Sequence, residues 1–302
     1  MVLRFFGVLT GKADIMKYSF FATCLFVVLS QFPLIAASDP NAVGDAETKV
    51  IAPPESVVQQ YRLDPFYKKY LDADGIAVTS SEKVADAALY EVKYLIEQAL
   101  QNRPDILKSM ADGRTRIAVI GAQEEVSEVP EYYKSDPQEA ERQNRRVRGY
   151  GGRRLTSCGE ENLLNYDGDR YRGENIFLHE FAHCIHSNLR GMNRDFQSKL
   201  DDLYNAAREK GLWERTYAGS NASEYWAEGV QDYWDCNRQS RREGTDGVHN
   251  HVNTREELKE YDPDLYAFID ETLGPMEWRY TRYIDRDNNQ KVDIIREVQS
   301  AQ

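Results

Sequence analysis

The stretch FLHEFAHCIH, from Phe177 to His186, decides the fold, because it combines a helical apolar pattern with three of the chain's five histidines. On a helix, His179 and His183 are four residues apart, so both imidazoles project from one face and can bind one Zn²⁺. Glu180 lies beside the first histidine and can accept a proton from a metal-bound water without binding the metal. The stretch therefore predicts half of a catalytic zinc site, and the competing interpretation is a core helix whose histidines only pack.

A catalytic zinc normally has three protein ligands and one position open to water, so a third ligand is expected elsewhere. Two downstream segments compete for this role: SEYWAEGVQDYW, which begins at Ser223, and the HNH of residues 249–251. Helical spacing favours the first, because Glu224 and Glu228 are four residues apart on one face. Glu224 would bind the metal, and Glu228 would accept the remaining ring N–H of a ligand histidine.

Composition indicates a folded, acidic protein. The chain has 302 residues, 41% hydrophobic content and a formal charge of −12, which is enough apolar material for a core. Nucleic-acid binding requires clustered Lys and Arg, and the balance of charge here is the opposite. The basic run RRVRGYGGRR at 145–154 contains glycines typical of a turn or an exposed strand. We therefore expect no nucleic-acid partner.

Residues 1–37 have the charge, apolar run and small residues of a cleaved signal peptide, for which Met16 is an alternative start. A membrane anchor is the competing interpretation, but Ser30, Gln31 and Pro33 interrupt the apolar run before it reaches spanning length. We expect a secreted protein, extracellular or periplasmic, with no stable membrane anchor after signal cleavage.

The rest of the chain divides by composition. Residues 38–60 lack an apolar period and are predicted to be a flexible linker. Residues 61–280 are predicted to form the zinc metallopeptidase domain, and 281–302 a polar C-terminal tail in which residues 285–293 only partly match a calcium loop. A strand at 116–120 and helical periods at 84–99, 177–189, 196–207, 223–236 and 254–273 predict an α+β domain with a small mixed sheet and further C-terminal helices.

Export would leave three cysteines in the mature chain: Cys158, Cys184 and Cys236. An odd number in an oxidising compartment permits one internal disulfide. Because Cys184 lies within the predicted metal helix and is expected to face the core, the preferred pair is Cys158 with Cys236. Other pairings remain open at this point.

The blocks HEFAH and YAGSNASEYWAE (residues 217–228) resemble the gluzincin class of zinc metallopeptidases, and within it the anthrax-lethal-factor-like catalytic domain. That resemblance implies a lethal-factor-like fold. It also implies a tyrosine seven residues before the ligand glutamate, here Tyr217, whose hydroxyl stabilises the developing oxyanion. The substrate-recruiting domains of lethal factor have no counterpart in this chain, so only the catalytic machinery carries over.

A closer resemblance covers most of the mature chain and concerns a largely uncharacterised family of secreted or periplasmic proteins predicted to be zinc peptidases. It rests on five blocks of sequence: DPFYKKYLDADGI (64–76), SCGEENLL (157–164), GENIFLHEFAHCIH (173–186), EYWAEGVQDYWD (224–235) and HNHVNTREELKEYDP (249–263).

The gluzincin resemblance further implies an edge strand before the metal helix that receives substrate as an added strand. Gly149 and Gly151 would allow the close backbone approach this needs, and a solvated hairpin is the alternative. His249, His251 and Arg255 match a block of the close family and are candidates for substrate contact. The alternatives are a supporting role behind the metal ligands, a helix-capping loop, or a weak second metal site.

These patterns predict a secreted endopeptidase with one Zn²⁺ that hydrolyses a peptide or protein substrate through a zinc-activated water. A zinc hydrolase of a non-peptide amide, as in cell-wall material, remains an alternative because the same chemistry serves any amide. A non-enzymatic secreted protein with a structural zinc is a third. The sequence indicates neither the substrate nor the oligomeric state.

Overall fold

The sheet consists of one hairpin extended by two parallel strands. A computed structural model describes residues 49–286, and its strand order is β1 (Lys69–Ala73), β2 (Ile76–Ser80), β3 (Arg116–Ile120) and β4 (Leu155–Gly159). β1 and β2 are antiparallel, whereas β3 and β4 are added in parallel. β2 and β3 are buried along their whole length, as expected for strands covered on both faces. The predicted α+β class with a small mixed sheet is confirmed.

The turn between β1 and β2 was not predicted, although its residues are typical of a hairpin. Asp74 and Gly75 have φ values of 53° and 89°, and a two-residue Asp-Gly loop with positive φ matches the twist of antiparallel strands. The backbone N–H of Gly75 also donates to Asp72 Oδ1 at 3.0 Å. Sequence chemistry therefore sets the register of this hairpin locally.

Helices surround the sheet and continue beyond it. Within the described part they are α1 (Glu55–Tyr61), α2 (Asp86–Ala99), α3 (Pro104–Asp112), α4 (Pro137–Arg146), α5 (Glu160–Leu163), α6 (Ile176–Met192), α7 (Phe196–Glu209), α8 (Ala222–Tyr233), α9 (Arg255–Tyr261) and α10 (Pro263–Leu273), with 3₁₀ turns at Val126–Glu128, Pro130–Tyr132 and Tyr283–Asp285. The helical periods read from the sequence correspond to α2, α6, α7, α8 and the pair α9 and α10. Pro104 starts a helix that the sequence analysis did not predict, because proline fits the first helical turn.

The centre of the structure is the packing of α6 against β4 on one side and α8 on the other. The apolar face of α6 buries Phe177, Phe181 and Ile185 completely. On α8, Trp226 is fully buried and its indole Nε1–H donates to the backbone carbonyl of Ala182 at 2.9 Å. This hydrogen bond restrains the sliding of α8 along α6 as well as the distance between the two helices.

Two predicted boundaries need correction. The predicted linker at 38–60 is ordered from residue 49, because Ile51 exchanges two backbone hydrogen bonds with Tyr70 of β1 and α1 packs on a small apolar cluster. The domain also continues past residue 280, since Tyr283 is buried and Arg286 pairs with Glu91. The predicted signal peptide and the end of the tail, with most of the calcium-like segment, lie outside the described residues. Within 49–286, no helix is both long and apolar enough to cross a bilayer.

The predicted disulfide is also wrong for this structure. Cys158, Cys184 and Cys236 are free thiols, and all three are buried. Cys158 lies on β4, the strand at one edge of the sheet, whereas Cys236 follows α8 and its carbonyl accepts the backbone N–H of Asn175. Each of the two thiols occupies the place of a small hydrophobic residue in the core.

A substitution at Gly229 tests the packing between α8 and α10. A Cβ at this position would lie 2.5 Å from Leu265 Cδ2 of α10. We expect Gly229→Ala to lower the free energy of unfolding by about 1 to 2 kcal/mol, because overpacking outweighs the helix propensity gained. Chemical denaturation measures this change. Gly168→Ala is the control, since a Cβ there meets nothing within 4 Å and should change stability by less than about 0.5 kcal/mol; equal effects would contradict the packing argument.

Candidate metal centre

His179, His183 and Glu224 bring their ligand atoms to one point. His179 Nε2 lies 3.2 Å from His183 Nε2, and Glu224 Oε2 lies 3.2 Å from the former and 3.1 Å from the latter. The two histidines come from α6 and the glutamate from the first turn of α8. Among residues 49–286, this is the group of His, Cys, Asp and Glu side chains that is close enough to share a metal ion.

The spacing of these atoms fits a tetrahedral zinc. Zinc-to-ligand distances of about 2.0 to 2.1 Å in a tetrahedron place neighbouring ligand atoms about 3.3 Å apart, close to the separations of 3.1 and 3.2 Å found here. Two imidazoles and one carboxylate are also the donor set of many catalytic zinc sites. His179, His183 and Glu224 therefore fit the metal that the sequence predicts.

The outer nitrogen of each imidazole has a polar partner, and for His179 this partner sets the tautomer. His179 Nδ1 donates to Gln231 Oε1 at 2.7 Å and lies 3.3 Å from Glu228 Oε1. The amide of Gln231 is oriented in turn, because its Nε2 donates to the carbonyl of Asn175 at 3.2 Å. With the proton on Nδ1, the lone pair of Nε2 is left for a metal.

His183 is supported in the same way by Ser223, whose Oγ lies 3.0 Å from His183 Nδ1. Asn221 caps α8, and its Oδ1 accepts the backbone N–H groups of Ser223 and Glu224. This cap fixes the first turn of α8, where the third candidate ligand lies. Burial raises the pKa of Glu224, but the contacts with His179 and His183 outweigh that effect and hold the pKa far below its ordinary range.

Sequence reasoning did not identify Ser223 or Gln231 as partners of the histidines. A signal for Gln231 exists, because Glu224, Glu228 and Gln231 follow helical spacing on one face of α8. Ser223 has no such signal, since its contact depends on how α8 crosses α6.

Glu180 lies against the glycine-rich segment that precedes β4. A Cβ built on Gly151 would lie 2.9 Å from Glu180 Oε2 and 2.6 Å from His183 Cβ, so only glycine allows the backbone to approach this closely. Burial raises the pKa of Glu180, and the nearby imidazoles and the backbone amide of Gly151 partly offset this rise. The carboxylate is thus a stronger base than an exposed glutamate.

Tyr217 lies beside His179 at the rim of the site and is 43% exposed. Its ring stacks beside that of His179 with 6.1 Å between centroids, and its backbone N–H donates to Val248 at 2.7 Å. Partial burial and the neighbouring Glu224 raise the pKa of the phenol. The hydroxyl therefore keeps its proton at neutral pH and can donate a hydrogen bond.

Gly149 and Gly151 belong to a short edge segment that pairs back onto β4. Between them, Tyr150 forms an antiparallel bridge with Ser157 of β4, and the carbonyl of Tyr150 accepts the Ser157 N–H at 2.9 Å. In an extended chain the carbonyls of the two flanking glycines face the other way. Within the described residues, neither glycine carbonyl has a hydrogen-bond partner.

Three other sequence candidates lie away from the ligand atoms. Arg255 is buried and donates to the backbone carbonyls of Tyr233, Met276 and Trp278. His249 is buried between Glu174 and Glu228. His251 is exposed and packs its ring edge-on against Tyr261. Predicting substrate contact for Arg255 and His249 was wrong, because their side chains point into the protein, and Thr254 caps α9 in this loop.

A cavity of about 930 Å³ lies elsewhere, between α4 and the loop around residues 166–170. It contains none of the metal-centre residues. Arg148 at its wall is already engaged by both carboxylate oxygens of Glu161. The size of a cavity therefore does not locate the reactive groups in this protein.

No protein-family model and no curated protein matches the chain. Among solved structures, the chain is similar to the PRO-PRO endopeptidase PPEP-2 from Paenibacillus alvei, with a TM-score of 0.36 and 15% sequence identity. The match covers 65% of this chain and 95% of that one. This is a distant likeness to a peptidase, and the chemistry of the site rests on its own geometry.

Metal content tests the assignment of the ligands. We expect about one zinc ion per purified chain and a loss of most of it in His183→Ala and Glu224→Ala, because each variant leaves two ligands. Inductively coupled plasma mass spectrometry measures the ratio. His186→Gln is the matched control: it changes a histidine on the same helix that contacts Gln197 at 2.8 Å. Zinc loss in this control, or retention in Glu224→Ala, would contradict the assignment.

Proposed function

We propose that this protein is a secreted zinc-dependent endopeptidase. The observation that carries the proposal is the convergence of His179, His183 and Glu224, with the carboxylate of Glu180 and the protonated phenol of Tyr217 close to them. A metal, a base and an oxyanion donor are the components that hydrolysis of an unactivated amide requires.

A group of three ligand side chains supports an enzyme over a protein with a structural zinc, which would normally be held by four protein ligands. The side chains that could close the shell are engaged elsewhere. Cys184 is buried on the far face of α6 near Asn188, His186 contacts Gln197, and His249 is separated from the ligands by Glu228.

Each residue has a distinct role in the reaction. Zinc, when bound, supplies a Lewis acid that activates water and polarises the scissile carbonyl. Glu180 accepts a proton from the attacking water and later transfers it to the leaving amine, a task suited to a carboxylate whose pKa is raised by burial. Tyr217 donates its hydroxyl proton in a hydrogen bond to the oxygen that gains negative charge.

The edge segment suggests how a substrate is held. Gly149 and Gly151 flank Tyr150, which is bridged to β4, and Gly151 lies against the base. An extended peptide pairing with the carbonyls of these two glycines would run past Glu180 as an added strand. This favours a peptide or protein over a compact small molecule. Secretion is proposed from the N-terminal sequence of residues 1–37.

The roles of Glu180 and Tyr217 predict two variants that bind metal without efficient turnover. Glu180→Gln should keep its zinc and lower kcat/KM by about 10² to 10⁴, since the base is removed and the ligands remain. Tyr217→Phe should lower kcat by about 10² to 10³. Both are measured with a peptide found by digesting a peptide library and identifying the products by mass spectrometry. Wild-type rates in Glu180→Gln would contradict the mechanism.

The same library digest, with and without a zinc chelator, separates the alternatives. Cleavage that the chelator abolishes and added zinc restores supports a zinc endopeptidase. Zinc-loaded protein that cleaves no peptide bond in the library would contradict the endopeptidase proposal and favour a non-peptide amide as substrate.

The close approach of the Gly151 backbone to Glu180 predicts that a side chain at this position lowers activity. In Gly151→Ala the new Cβ would fall 2.5 Å from the Glu180 carbonyl oxygen and 2.6 Å from His183 Cβ, so the edge segment must move away from α6. We expect kcat/KM to fall by at least about 10-fold with zinc content unchanged, because a displacement of this kind disturbs substrate alignment. Steady-state kinetics on a cleaved peptide measures it, with Gly168→Ala as control; unchanged kinetics would contradict the edge role.

A further inference from the structure

A chain of charged residues runs from His179 away from the metal centre. It consists of Glu228 and His249, which are buried, followed by Glu174, Arg238 and Asp246, which are half-buried. His249 lies at its middle, with Nδ1 3.4 Å from Glu228 Oε2 and Nε2 3.4 Å from Glu174 Oε2. Glu174 then contacts Arg238 at 3.3 Å, and Arg238 contacts Asp246 at 2.9 Å.

His249 provides a positive charge between two carboxylates. Its side chain is 2% exposed, and neither ring nitrogen has a shorter hydrogen bond to satisfy it. Burial lowers the pKa of His249, but Glu174 and Glu228 outweigh burial and raise it to about 9. At neutral pH the ring is therefore an imidazolium with one N–H directed at each carboxylate, and these contacts at 3.4 Å are ion pairs longer than a typical hydrogen bond.

The two oxygens of Glu228 face in different directions. Oε1 lies 3.3 Å from Nδ1 of His179, whereas Oε2 faces His249 and accepts a hydrogen bond from Asn237 Nδ2 at 3.1 Å. Glu228 is buried, so removing His249 would leave its carboxylate without the partner that holds Oε2 on that side.

The loop that carries His249 is itself fixed. The backbone N–H groups of Val248 and His249 both donate to Asp246 Oδ1, at 3.1 and 2.9 Å. The carbonyl of Val248 accepts the backbone N–H of Tyr217 at 2.7 Å. Val248 thus holds the backbone of Tyr217, the oxyanion donor. The next residue, His249, contacts Glu228, the carboxylate behind the metal ligand His179.

We propose that His249 is a positioning residue for the metal centre: held between Glu174 and Glu228, it fixes Glu228 against Nδ1 of His179 and thereby sets the metal affinity of that histidine. The inference rests on the metal site of the proposed function. It gives His249 a role in metal binding without contact with the metal or the substrate.

The test compares His249→Gln with His251→Gln, a histidine two residues away that is exposed and packs on Tyr261. Metal-free full-length proteins are titrated with Zn²⁺ against a chromophoric chelator at pH 7. We expect His249→Gln to bind zinc about 10- to 100-fold more weakly, as for other partners of metal-binding histidines. His251→Gln should stay within about 2-fold of wild type.

Loading with Co²⁺ provides a spectroscopic measurement that a general loss of stability would not change. The visible absorption bands of bound Co²⁺ depend on the orientation of its ligands, so they should shift in His249→Gln at full metal occupancy and not in His251→Gln. Circular dichroism of the metal-free proteins establishes that each is folded. If His249→Gln does not fold, Glu174→Gln removes one of the two partners of His249 and should weaken zinc binding by at least about 3-fold.

The outcomes separate this inference from the proposed function. Wild-type zinc affinity and an unchanged Co²⁺ spectrum in folded His249→Gln would overturn the positioning role and leave the proposed function standing. If Glu174→Gln is the variant tested, wild-type affinity there overturns it in the same way. A wild-type protein that binds no zinc would overturn both. Weaker binding in His249→Gln together with an unchanged His251→Gln supports the role.

Discussion

The structure depends on the packing of α6 against α8, because that contact brings together three ligand atoms from segments 41 residues apart. Glu224 Oε2 lies within 3.2 Å of the Nε2 atoms of both His179 and His183, and so completes the group of three ligand atoms. Gly229 allows α10 to close behind α8, while the indole of Trp226 ties α8 to the carbonyl of Ala182. The apolar core and the reactive site are thus two faces of one helix pair.

Burying the imidazoles and carboxylates of such a site has a cost that the surrounding polar groups offset. Each ligand histidine has an outer partner, Gln231 for His179 and Ser223 for His183. Glu228 stands behind His179 and is neutralised in turn by His249. Because an unpaired charge in the interior is strongly destabilising, these partners stabilise the folded centre and also keep the lone pairs directed at one point. The site can therefore remain formed before a substrate arrives.

Much of the fold could be predicted where the signal is local. The helical periods of α2, α6, α7 and α8 depend on apolar spacing along one segment, and their positions in the structure agree with it within a few residues. The Asp74-Gly75 turn was equally local and was missed. The regular structure that begins at residue 49 could not be predicted from the sequence, because Ile51 is held only by pairing with Tyr70. The prediction of a disulfide was wrong for the same reason, because the number of cysteines does not indicate where in the core each thiol lies.

The sequence by itself determined that His179 and His183 share one helical face with Glu180 between them, and that Glu224 and Glu228 share another, because the period of the α-helix converts spacing into direction. Only the tertiary structure decided that these faces meet, that the glycines of the edge segment lie against Glu180, and that His249 is buried behind Glu228 while His251 remains exposed. Those relations depend on the crossing of helices and on the path of a loop. No periodicity within a single segment records them, since they arise from contacts between parts of the chain that are distant in sequence.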